Sequence, residues 1–137
     1  MIKTLSFGEH QVSFSTSFAW CFVYKSQFRR DPAQVLIPAI KEITENSGDD
    51  ASESIGFKLY EILGFVEIAD MAWAMARLVD PHIPEPIPWV QSLGDDFDLT
   101  LIVSDLIPEA VESCFATKKS QVPTKPATKA PLRKTKT

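Results

Sequence analysis

Few residues in this chain have the type and spacing to do chemistry, and the most suggestive pair is acidic. Glu67 and Asp70 stand three apart inside an apolar stretch, so a helix would put them on one face. Burial there would push a carboxyl upward, the usual route to a general acid. A helix-surface pair facing solvent or Arg77 accounts for the same spacing without catalysis. His10 and His82 have no Cys or His at ligand spacing. A zinc site needs three or four convergent ligands, so no metal is expected. Cys21 and Cys114 lie far apart, form neither a C-x-x-C pair nor a metal spacing, and read as two small buried hydrophobes in a reducing compartment. Asp95-Asp96-Phe97-Asp98 resembles half a calcium loop but lacks the rest of its ligands, and helix capping explains these acids better. The five glycines are scattered, with no phosphate-cradling loop among them. No serine or cysteine has an obvious base beside it. No cofactor and no enzyme activity are expected.

The elements that would position these residues are mainly helical. Leu5 and Phe7, then Gly8-Glu9-His10, then Val12 and Phe14 alternate as a short β-hairpin. From Phe18 to Phe28 the apolar residues take helical spacing, with Arg29 and Arg30 in the last turn, where positive charge suits the helix dipole. Asp31-Pro32-Ala33-Gln34 has the form of a capping box and opens a second helix, bent at Pro38. Residues 46–50 read as a loop. A long helix is predicted from about Ala51 to Val79, apolar nearly all round and so central to its domain. Within it, Ile62 to Val79 is the best membrane candidate, and Glu67, Asp70 and Arg77 argue against a span. Asp80 to Pro88 is too rich in proline to continue a helix and should be an extended connector. Trp89, Val90 and Leu93 suggest one or two turns before Gly94. Asp96 or Asp98 caps a final helix, in which Pro108 starts or kinks a last piece that returns Ala110, Val111, Cys114 and Phe115 to the core.

Charge divides the chain. Residues 1–116 carry all eighteen acidic residues against seven basic ones, a net charge of −11, whereas residues 117–137 carry seven Lys/Arg and no acid. That basic stretch has only Val122 and Leu132 as larger aliphatics, plus three prolines, too little apolar area to offset its ordering entropy. The expectation is a small helical domain over 1–116, with a short N-terminal β-hairpin, followed by a disordered C-terminal tail or linker over 117–137. The N-terminus does not read as a secretory signal. The tail could touch nucleic acid through phosphates, which is the alternative function. It has no aromatic residue to stack on bases, and the acidic body opposes such contact.

The abundance of large rings is the remaining anomaly: nine Phe, three Trp and two Tyr. Trp20 and Phe22 cannot share one helix face, so some aromatic surface should stay outside the core and serve protein binding. Trp20, Phe22, Tyr24 and Phe28 are the expected contact face, with Trp73 and Trp89 as core or interface.

The segments Val12-Ser-Phe-Ser-Thr-Ser-Phe18 and Phe22-Val-Tyr24-Lys-Ser-Gln-Phe28-Arg-Arg-Asp31 resemble the opening of the tail assembly chaperones of long-tailed phages. In that family a short strand precedes a Tyr/Arg-x-x-x-Phe-Gly-x-Asp stretch. Leu59-Tyr-Glu-Ile-Leu, Ala69-Asp-Met-Ala-Trp73-Ala-Met-Ala-Arg77 and Asp80-Pro81-x-Ile83-Pro84 through Trp89 resemble its central helix and the segment after it. The resemblance covers about residues 12–31 and 57–93. It departs at Arg29, where the family pattern has glycine, so the first helix is expected to run on to the Asp31 cap. The resemblance implies a small, mainly helical, non-enzymatic protein in the host cytoplasm. Such a protein binds the tape measure protein, self-associates, and is absent from the mature virion. It also implies a longer form, made by programmed frameshifting, that recruits tail tube protein.

Overall fold

The computed structural model describes residues 2–47 and 55–114. Strands β1 (Ile2–Phe7) and β2 (His10–Ser15) pair antiparallel with Phe7 opposite His10, leaving Gly8 and Glu9 as a two-residue turn. Gly8 has φ 61° and Glu9 has no positive φ, as in a type II′ hairpin turn. The alternation puts Leu5, Phe7 and Phe14 on the buried face. A lone hairpin is marginal, and this one rests on a helix.

Helix α1 (Trp20–Phe28) ends at Arg29, which takes the left-handed conformation (φ 67°, ψ 23°) while its N–H bonds the Lys25 carbonyl. The expected run-on to Asp31 is therefore corrected. The chain makes the tight turn with an arginine where glycine would do so without strain. Asp31 then caps α2 (Pro32–Ser47), its Oδ1 accepting the Ala33 N–H at 2.9 Å. The helix continues through Pro38.

The single helix predicted from Ala51 to Val79 is two helices: α3 (Ile55–Leu63) and α4 (Phe65–Val79). Gly64 separates them at φ 92°, ψ 172°, a conformation that essentially only glycine takes up. Residues 48–54 lie outside the described residues. Every α4 residue from Ile68 to Ala76 except Asp70 is buried, as expected of a central helix. Its alanines let β2 and α1 pack along it, and α3 and α5 also touch it.

The proline-rich connector is also shorter than expected. Glu85 is the extended N-cap and Pro86 the first residue of α5 (Pro86–Leu93). Proline fits there, because first-turn N–H groups have no intrahelical partner to lose. After Gly94, Asp98 caps the C-terminal helical segment, residues 99–114, by accepting the Leu101 N–H at 3.1 Å. That segment widens into a π-helix over Ile102–Leu106 and returns to α geometry, with Pro108 inside it rather than at a break. Lys3 pairs with Glu109 at 2.6 Å, and the Ser113 hydroxyl donates to the Thr16 carbonyl, tying the segment to the hairpin. Phe115 and the tail over 117–137 lie outside the described residues. The fold is thus mainly α with an N-terminal β-hairpin. Among the described residues, no helix is long and apolar enough to cross a membrane.

Candidate functional site

The expected aromatic contact face divides into buried and exposed parts. Trp20 and Tyr24 are fully buried, whereas Phe22 on the opposite side of α1 is 68% exposed. Trp20, Tyr24, Phe28 and Trp73 form one internal ladder, with ring centroids 6.1, 4.9 and 5.8 Å apart in turn. Edge-on and tilted geometries like these suit the ring quadrupoles. Trp89 belongs to a second cluster with Phe14 and Phe97, at 6.4 and 5.9 Å, under the hairpin. Trp20, Tyr24, Trp73 and Trp89 are therefore core. Of the residues expected to form the contact face, Phe22 alone stands mostly in solvent, 5.8 Å edge-on from half-exposed Phe18.

Trp73 is where two surface grooves meet. Its indole N–H donates to the Pro84 carbonyl at 2.8 Å, and Arg77 donates to the Ile83 carbonyl at 3.0 Å with its guanidinium 5.2 Å from the Trp73 ring. Arg77 also lies 3.7 Å from Glu85, whose other oxygen accepts from Gln27 at 2.9 Å. These bonds pin the connector and fix the position of α5. On one side, α4 and α5 enclose a groove of about 220 Å³ lined by Phe65, Val66, Ala69, Trp73, Ile87 and Val90. On the other, α1, the end of α4 and Pro81 enclose about 470 Å³ that includes Phe22, Val23, Arg77 and Leu78. Val66 and Ile87 are 68% and 74% exposed. Mostly solvated branched aliphatics beside an apolar groove are what an unfilled binding surface looks like.

Sequence reasoning did not single out Val66, Ile87 or Val90. The exposure of Val66 and Ile87 goes with the Gly64 break and the helix start at Pro86, both missed, whereas Val90 is partly buried. The proline spacing before Trp89 was the signal that could have revealed that start.

Among the described residues, Asp70 is the sole titratable group lining the α4–α5 groove. Burial pushes its carboxyl up to about 6, and Arg30 pulls it part of the way back. Its neighbour Glu67 is tied down: the buried Tyr24 hydroxyl and Arg30 both donate to it, with Arg30 also 5.7 Å over the Tyr24 ring. Burial and the Asp70 charge nonetheless raise the Glu67 carboxyl. The partner that sequence suggested, Arg77, is engaged elsewhere. A cleft with a raised carboxyl thus exists, and among the described residues its lining brings Asp70 no nucleophile or second acid–base group. His10 and His82 form no metal cluster; no group of three or more His, Cys, Asp or Glu among the described residues could hold an ion. Cys21 and Cys114, remote in sequence, meet with their sulfurs 3.5 Å apart.

No family model, no curated protein and no solved structure matches this chain.

Proposed function

We propose that this chain is a tail assembly chaperone of long-tailed phages. It holds apolar stripes of the tape measure protein in the two grooves around Trp73 until tail tube subunits replace it. The observation that carries this reading is the apolar α4–α5 groove edged by exposed Phe65, Val66 and Ile87, next to a second groove where exposed Phe22 stands beside Ser26, Gln27 and Arg77. A helix with apolar residues at i, i+3, i+4 and i+7 matches such a surface. Asp70 offers a cationic side chain of the client an ionic partner in otherwise apolar surroundings. The Tyr24-x-x-x-Phe28-Arg29-x-Asp31 stretch supports the family resemblance further. The chain turns left-handed at Arg29, where the family pattern has glycine, and Asp31 caps the next helix.

On this reading the protein is not an enzyme, works in the host cytoplasm, and self-associates through the same apolar surface. A longer frameshifted form recruits tail tube protein. The test is to co-express the chain with the tape measure protein of its own genome and measure how much client remains soluble. Soluble client that co-purifies in a defined complex is the expected result. Client that aggregates equally without the chain, with it, and with any longer product of its gene would overturn the reading.

A further inference from the structure

The sulfurs of Cys21 and Cys114, one near the start of α1 and the other in the last described turn of the C-terminal segment, lie 3.5 Å apart with both thiols free. A disulfide needs about 2.05 Å, so closing the bond asks for an approach of about 1.5 Å, within reach of side-chain rotation near two helix ends. Both cysteines are only partly buried and line one pocket of about 150 Å³, together with Phe18, Asp31, Pro32 and Leu36. The contact between the two thiols couples them: it holds one proton between the sulfurs, and partial burial of both disfavours a second charge.

We propose that Cys21 and Cys114 form a redox-active dithiol that low-molecular-weight disulfides close into an intrachain bond. One of the two thiols, as its thiolate, attacks one sulfur of the incoming disulfide, making a mixed disulfide and releasing one thiolate. The other then gives its proton to the released thiolate, attacks the protein sulfur of the mixed disulfide, and expels the second thiolate. Two protein thiols are oxidised and one small disulfide is reduced to two thiols. Under a reducing glutathione poise the pair rests reduced, and it closes as the poise rises. Closure fastens α1 to the last described turn of the C-terminal segment. This proposal stands independently of the chaperone reading.

The test uses the full chain with oxidised glutathione, followed by acid quench, N-ethylmaleimide labelling and intact-mass measurement. The expected product has lost two hydrogens, takes up no maleimide and keeps no glutathione. Cys21→Ser and Cys114→Ser should each hold one glutathione on the remaining thiol and form no intrachain bond. Wild-type chain that ends with two separate glutathiones, or with both thiols still open to maleimide, would overturn the proposal.

Discussion

Gly56 of α3 lies directly against the carbonyl oxygen of Val103, inside the π-helical stretch. A Cβ built on Gly56 would fall within the van der Waals shell of that oxygen, 3.1 Å from the carbonyl carbon and 3.3 Å from Val103 Cγ1. The obstacle is backbone and cannot swing aside. Gly56→Ala should therefore destabilise the fold by about 1–3 kcal/mol, although alanine is the better helix former by about 1 kcal/mol. Urea unfolding measures the difference. An unchanged or higher midpoint would show that the α3 contact is looser than described.

How much of this was legible follows from where the signals are local. The hairpin, the Asp31 cap and the burial of the 68–76 stretch could be read because alternation, capping residues and an all-round apolar helix are written in adjacent residues. The break at Gly64 was not, since a glycine inside an apolar helical pattern is often tolerated, and only its φ of 92° reveals the corner. The burial of Trp20 against the exposure of Phe22 depends on which α1 face meets α4, a tertiary choice that spacing alone leaves open. The meeting of Cys21 with Cys114 is more remote still, because no local pattern brings those two positions together.

Arg29 offers a second stability test. At φ 67° it holds a conformation that costs a residue with a Cβ about 1 kcal/mol and glycine little. Arg29→Gly should stabilise the protein by about 0.5 kcal/mol, after allowing for the extra freedom glycine brings to the unfolded chain. A loss of stability would mean that the Arg29 side chain contributes more than its backbone costs. Thermal unfolding of the two proteins side by side decides it.

Asp70 sets a pH dependence with a definite sign. Its carboxyl is raised to about 6 in the folded chain, above the value near ~4 that it regains on unfolding. The folded state therefore binds the proton more tightly. Its contribution is fully present below pH ~4 and is lost as pH rises through about 6. Asp70→Asn keeps the shape without the charge and should flatten this loss. A shift of that size would amount to about 3 kcal/mol for a sealed site, and solvent screening of a half-exposed group reduces it to about 1 kcal/mol at pH 8. Urea midpoints at pH 5 and pH 8 are the measurement. A variant less stable than wild type at pH 8 would show that the charged Asp70 is held by the Arg30 field more strongly than burial penalises it.

The sharpest separation of fold from binding compares Trp20 with Ile87. Trp20 is wholly buried, ringed by Tyr24 and its neighbours, so Trp20→Ala removes a large core side chain at a cost of about 3–5 kcal/mol. That is enough to unfold a domain of marginal stability. Ile87 is 74% exposed at the edge of the α4–α5 groove, so Ile87→Ser should leave the unfolding midpoint within about 0.5 kcal/mol of wild type. If the groove receives the client, the same serine removes an anchor worth about 2 kcal/mol, roughly a thirtyfold loss of affinity, and Phe22→Ser should do likewise in the second groove. Circular dichroism together with retention of soluble client reads both quantities on the same preparations. Ile87→Ser and Phe22→Ser proteins that fold and still retain client at wild-type levels would mean that these grooves are not where the client sits, whatever else the protein does.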